Sequence, residues 1–163
     1  MKKSLLTLFA ALVVFAASAQ IEKGAILIGG ASNLGFTSYD EDAGDYSLFN
    51  VDVKGGYFVM DNLAIGLDLS YSKDSDDDDA LVGIGPLVRY YVNGKIILGI
   101  GYNIINYGDL DGSSLPLEVG YAAFINKAIA IEPTLNYQMY GGDLDGSSFG
   151  VNVGISFYLN RGE

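Results

Sequence analysis

Phe149-Gly150-Val151-Asn152-Val153-Gly154-Ile155-Ser156-Phe157-Tyr158-Leu159 alternates without a break. Phe149, Val151, Val153, Ile155, Phe157 and Leu159 fall on one side of an extended chain, and Gly150, Asn152, Gly154, Ser156 and Tyr158 on the other. A repeat of two is the strand period, because successive side chains of an extended backbone point to opposite faces. The pattern recurs upstream. Leu63, Ile65, Leu67, Leu69 and Tyr71 oppose Ala64, Gly66, Asp68, Ser70 and Ser72, and Val82, Ile84, Pro86, Val88 and Tyr90 oppose Gly83, Gly85, Leu87, Arg89 and Tyr91.

Eight such segments can be counted, at about 24–37, 46–59, 63–73, 80–92, 96–107, 115–125, 129–140 and 148–159. Segments of about 10 to 14 residues at about 3.3 Å each, tilted near 40°, match an apolar band about 25 Å tall. The connections alternate in character. Met60-Asp61-Asn62, Asn93-Gly94-Lys95 and Asn126-Lys127-Ala128 read as tight turns, each with an Asn suited to positive φ. The other four read as longer, acidic loops and hold thirteen of the twenty acidic residues: Asp40, Glu41, Asp42 and Asp45; Asp74 and Asp76 to Asp79; Asp109 and Asp111; Asp143 and Asp145. Short turns at one end and long polar loops at the other are the asymmetry of an outer-membrane barrel. Gly-Asp-Leu-Asp-Gly-Ser-Ser occurs twice, at Gly108 to Ser114 and 34 residues later at Gly142 to Ser148, a two-strand spacing that matches either duplication of a hairpin or the constraint of a fixed membrane thickness.

At 163 residues the chain has room for one ordinary core. Half the residues are hydrophobic, Gly numbers 22, Tyr 12 and Phe 8, a mixture that favours strands and turns over helices. Lys2 and Lys3, the apolar run from Leu5 to Ala16, and Ala17-Ser18-Ala19 read as a secretory signal peptide at 1–19, cut between Ala19 and Gln20, leaving 20–163 as the barrel domain. A single helical anchor is the competing reading, but the run is too short to span hydrocarbon. Losing Lys2 and Lys3 takes the net charge from −11 to −13, which argues against nucleic acid and anionic lipid surfaces as partners.

Alternation does not by itself say which face is enclosed. A solvated outer face should be rich in Lys, Glu, Thr and Gln, whereas the non-apolar face here is mostly Gly, Ala, Ser and Asn, suited to the crowded interior of an eight-stranded barrel. Its charges are Asp52, Lys54, Asp68, Arg89, Glu118 and Glu132, and the apolar face has none. A lumen network is therefore expected in which Arg89 and Lys54 neutralise some of the four carboxylates, with Asn103, Asn136 and Tyr side chains completing hydrogen bonds. Pro86, Pro116 and Pro133 each remove a ladder donor inside a strand, so local bulges are expected there. Phe49, Tyr57, Tyr71, Tyr90, Tyr137 and Phe157 project from the apolar face near strand ends, where they can form interfacial girdles.

On these residues the whole mature chain resembles the bacterial outer-membrane β-barrel domain family, the small eight-stranded type that includes the OmpA transmembrane domain and OmpX. The best local match is Gly154-Ile155-Ser156-Phe157-Tyr158-Leu159, which looks like the terminal signal read by the barrel-assembly machinery, with Gly154, Phe157 and Leu159 in its small, aromatic and apolar positions. The resemblance implies an all-β, eight-stranded antiparallel up-and-down transmembrane β-barrel in the outer membrane, in contact with lipid and lipopolysaccharide.

Enzymes among small outer-membrane barrels rely on a histidine base, and this chain has neither His nor Cys. No enzyme activity and no cofactor are expected. The one candidate ligand is Ca²⁺ bound weakly at the loops by Asp109, Asp111, Asp143, Asp145, Asp76 and Asp78, since Asp supplies the hard oxygens this ion prefers. Both Asp-Leu-Asp-Gly copies lack the further acidic ligands of an EF-hand loop, and Asp-Gly also makes solvated turns. The expected role is that of a structural or surface-interaction barrel, monomeric, with a side-chain-filled lumen. Two other readings stand beside it: a narrow channel or small-solute conduit, visible as ion conductance, and a secreted soluble lipocalin-like binder, which fractionation excludes if the protein stays in the outer membrane.

Overall fold

The computed structural model describes residues 20–30, 35–41, 44–74, 79–108 and 110–160, with side chains described for 20–29 and from 51 onward within those ranges. The expected signal peptide lies outside the described residues. Among the described residues there is no helix. The strands are β1 (Ile26–Gly30), β2 (Gly35–Glu41), β3 (Gly44–Met60), β4 (Leu63–Asp74), β5 (Ala80–Val92), β6 (Ile96–Gly101), β7 (Asn103–Tyr107), β8 (Leu110–Tyr121), β9 (Ala123–Phe124), β10 (Ile129–Gly142) and β11 (Gly146–Leu159).

Every pairing is antiparallel, and the pairings close on themselves. β3, β4 and β5 pair in sequence, β5 pairs β6 and β7, and both of these pair β8. β8 pairs β10, β10 pairs β11, and β11 pairs β1, which returns to β3. Because β6 and β7 continue one register against both neighbours, and β8 and β9 do so against β10, they count as two members of a ring of eight. The first member is β1, with β2 carrying the pairing to β3 onward. Among the described residues the ring closes through β1, while β2 is paired on one side only, to β3.

The expected bulges at the prolines do not occur. Leu67 pairs Pro86, Gln138 pairs Pro116 and Val153 pairs Pro133 in unshifted registers, and the one register shift of β3 against β4 lies between Phe58 and Met60. Each proline instead faces a short gap in one ladder. Pro86 and Pro116 flank Tyr102, which separates β6 from β7, and Pro133 faces the break between β8 and β9. The gap removes the need for the missing donor, while the Pro86 carbonyl still accepts from Tyr102 N–H at 3.1 Å.

Turns at one end match the sequence in part. Asn62 and Asn93 adopt φ of 63° and 52°. Asn126 is not in positive φ; its Oδ1 accepts from the Ala128 and Ile129 amides, each at 2.8 Å, so the side chain does the turn's work. At the opposite end three of the four acidic connections are shorter than expected. Glu41 pairs Gly44, Tyr107 pairs Leu110, and only Asp143–Asp145 separate β10 from β11. The ladders run on beyond the apolar alternation because antiparallel pairing satisfies backbone groups whatever side chains they carry.

Small residues set how closely the strands approach. A Cβ on Gly66 would fall against the backbone of Gly55 and Gly56, whereas one on Gly150 would meet open space. Gly66→Ala should therefore lose about 1–3 kcal/mol of stability, while Gly150→Ala should stay within about 0.5 kcal/mol of the parent, both measured by urea-induced unfolding in detergent.

Candidate functional site

The two faces of each strand have opposite fates. Leu67 is 54% exposed and Val151 66%, and Ile28, Ile65, Ile84, Leu98, Ile100, Val119, Leu135 and Ile155 are likewise exposed. The described residues include thirty-two exposed large hydrophobics against twelve buried hydrophobics, so the ordinary burial pattern is turned inside out. Tyr57, Tyr71, Tyr90, Tyr137 and Phe157 of the expected girdles are exposed on this outer face; the Phe49 side chain lies outside the described residues.

The enclosed face carries the charges. Arg89 of β5 is 1% exposed and Glu132 of β10 is fully buried. Arg89 Nη1 reaches Glu132 Oε2 at 2.9 Å, its Nε reaches Glu118 Oε2 at 3.2 Å, and its Nη2 donates to Glu118 Oε1. Glu118 is thus gripped by both arms of the guanidinium fork, the geometry in which Arg and carboxylate pair most strongly. Lys54 Nζ of β3 adds a further ion pair to Glu118 at 3.3 Å. Three ion pairs so tie together β3, β5, β8 and β10, members spread around the ring.

Hydrogen bonds extend this group toward the turn end. Arg89 Nη1 also donates to Tyr91 Oη at 3.2 Å, Tyr158 Oη lies 3.2 Å from Tyr91 Oη, and Tyr158 Oη hydrogen-bonds Glu132 Oε1. Asn103 Nδ2 donates to Asp68 Oδ2 at 3.2 Å. Asn136, expected in the ionic network, bonds Thr134 Oγ1 at 3.0 Å instead. A small void beside the ion pairs is lined by Lys54, Asp68, Arg89, Glu118 and Asn136 together with Gly99 and Gly101.

Beneath the charges sits an apolar plug that the alternation pattern does not single out. Phe58, Tyr91 and Tyr158 stack at ring-centroid distances of 5.5, 6.0 and 6.2 Å, and Phe124 stands 5.0 Å from Tyr158. Ile21, fully buried, packs into this cluster with Ala25 and Leu27. The segment from Gln20 is held there by polar clips to the first turn: Ile21 N–H to Asn62 Oδ1 at 3.0 Å, Lys23 N–H to Asp61 Oδ1 at 2.9 Å, and Asn62 N–H to the Ile21 carbonyl at 2.8 Å. The sequence signal was available in Phe58, Tyr91 and Tyr158, large rings on an otherwise small-residue face. Ile21 has no such signal, since it precedes the first alternating segment.

The loop acids are dispersed. Asp76, Asp78 and Asp109 lie outside the described residues. Asp143 Oδ2 accepts from the Asp111 amide at 3.3 Å, the Asp111 carbonyl accepts from the Asp143 amide at 3.1 Å, and Asn106 Nδ2 donates to Asp111 Oδ1 at 2.5 Å. These bonds knit two neighbouring hairpins built from the repeated heptapeptide, with Gly108 and Gly142 both in positive φ at its first position. Asp145 is exposed in the turn. Among the described residues no three Asp or Glu side chains converge on a metal position.

No family model and no curated protein matches the sequence. The site is therefore read from its own geometry, and that geometry is electrostatic cross-linking. Arg89→Met removes one cation from two buried carboxylates and should cost about 3–5 kcal/mol, because a buried charge is left uncompensated. Urea unfolding in detergent reads the loss, and the triple variant with Glu118→Gln and Glu132→Gln should recover much of it.

Proposed function

We propose that the chain is an up-and-down eight-stranded transmembrane β-barrel of the bacterial outer membrane, serving as a structural or surface-interaction protein rather than as an enzyme. The observation that carries this reading is the inverted burial: a continuous apolar exterior around an interior holding Arg89, Lys54, Glu118 and Glu132. In water an apolar exterior of this extent drives association, whereas lipid tails cover it at no loss. A lipocalin-like carrier needs the reverse arrangement, with apolar side chains lining its calyx. No helix of the described residues is long and apolar enough to cross a membrane, so any crossing rests on strands.

The ion pairs and the Phe58–Tyr91–Tyr158 plug fill the ring, which favours a structural role over a solute conduit. Outer-membrane lipid and lipopolysaccharide are its proposed surroundings, and Gly154, Phe157 and Leu159 its proposed contacts with the barrel-assembly machinery, by resemblance to the outer-membrane barrel family. The signal peptide, cleavage before Gln20 and a monomeric state belong to the same proposal.

Expressed with its leader, the protein should fractionate with the outer membrane and migrate differently in electrophoresis before and after heating. Leu67→Arg should destabilise the lipid-inserted form by about 2–4 kcal/mol, against about 0.5 kcal/mol or less for the same exposed position on a water-soluble protein. Recovery of the parent in the soluble periplasmic fraction contradicts the membrane reading.

A further inference from the structure

A second polar group inside the ring, beside the Arg89 pairs, has hydrogen bonding that does not close. Asp52 Oδ1, Asp68 Oδ1 and Asn103 Oδ1 are each buried without a partner. All three are acceptors, so only a donor or a cation can satisfy them. They stand together. Asp68 pairs in register with Lys54 on β3 and with Gly85 on β5. Asn103 Nδ2 bonds Asp68 Oδ2, and Asn103 Oδ1 overlies Gly85, where a Cβ would collide with it. Asp52 stands two residues before Lys54 on the same face, its carboxyl within hydrogen-bonding reach of that of Asp68. Asp68 and Asn103 are only 7% and 4% exposed.

Charge points the same way. Lys54 and Arg89 face Asp52, Asp68, Glu118 and Glu132, leaving two carboxylates in excess, and both cations are engaged with the glutamates. No Lys or Arg occurs between Lys23 and Lys54, and Arg161 lies outside the described residues. Lys73 stands at the loop end of β4 on the outward register with Leu69 and Tyr71, a charge on the face expected to carry none, while Lys95 and Lys127 belong to the turns. Buried carboxylates in such excess are costly unless something positive joins them.

We propose that Asp52, Asp68 and Asn103 bind a hard divalent cation of the Ca²⁺ class inside the ring. A proton shared by the two carboxyls leaves Asn103 Oδ1 unpartnered and the enclosed charge at one negative. A divalent ion meets all three oxygens and brings that charge to zero. Carboxylate and amide oxygens are ligands Ca²⁺ takes, with water completing the shell. The inference depends on which face is enclosed and is independent of the membrane reading, which fractionation tests separately.

The experiment uses the full chain, stripped with chelator, refolded in detergent and titrated with CaCl₂ by calorimetry, with a thermal melt before and after saturation. One equivalent of binding and a raised Tm are expected. Both should vanish in Asp68→Asn, whose strand circular dichroism should match the parent because the change relieves repulsion. Both should persist in the rim variant Asp143→Asn, and Asn103→Asp should tighten binding. Absence of heat and of a Tm shift in the parent overturns the proposal, as does binding that survives Asp68→Asn. An infrared band of a protonated carboxyl that persists at saturating Ca²⁺ and disappears in Asp52→Asn assigns the pair to a proton and overturns it equally.

Discussion

A strand offers two faces, and a closed ring of eight encloses one of them in a space just wide enough for side chains. That confinement governs the remaining choices. Where two strands cross closely the residue must be Gly, as at Gly66 against Gly55 and Gly56. Where a long side chain enters, its neighbours must recede. Arg89 and Glu118 extend over Gly99, which a Cβ would bring into contact with both. A charge admitted to such a space must be met by another, and the forked contact of Arg89 with Glu118 meets that demand while joining strands distant in sequence.

The interior is layered by the same logic. At the turn end Phe58, Tyr91 and Tyr158 close the ring with Ile21, and the two phenol hydroxyls face the ion pairs above, so apolar filling passes into polar filling with both phenols hydrogen-bonded. The segment from Gln20 to Ala25 is part of that closure, held by Asp61 and Asn62 of the first turn. At the other end the ladders continue past the apolar band into paired Gly, Ser and Asp residues, and the two copies of the repeated heptapeptide brace one another through Asp111 and Asp143.

Strand identity and face were legible because both depend on a period of two. Leu67 and Asp68 part company in the sequence as they do in space, and the eight segments correspond to the eight members of the ring. Strand ends were less legible. Alternation tracks burial, not backbone pairing, so Leu110–Ser114 and Gly146–Ser147 read as loop while their backbones pair. Proline likewise signals a lost donor without saying whether the ladder bulges or opens, and here it opens. Of the interior charges, Arg89, Lys54, Glu118 and Glu132 meet, but which carboxylate each cation takes depends on register between strands far apart in the chain. The unpartnered oxygens near Asp68 arise from that register too.

The most direct measurement of the inside-out arrangement exploits the absence of cysteine. Single cysteines placed along β4 and β5, at Leu67, Asp68, Ile84 and Leu87, can be spin-labelled in lipid vesicles and tested for collision with oxygen, which concentrates in hydrocarbon, and with a water-soluble nickel chelate. Positions 67 and 84 should collide freely with oxygen and little with nickel, while 68 and 87 are shielded from both. Nickel collisions at 67 and 84 equal to those of an exposed site in water, or oxygen access that fails to alternate along the strand, would contradict an exterior bathed in lipid.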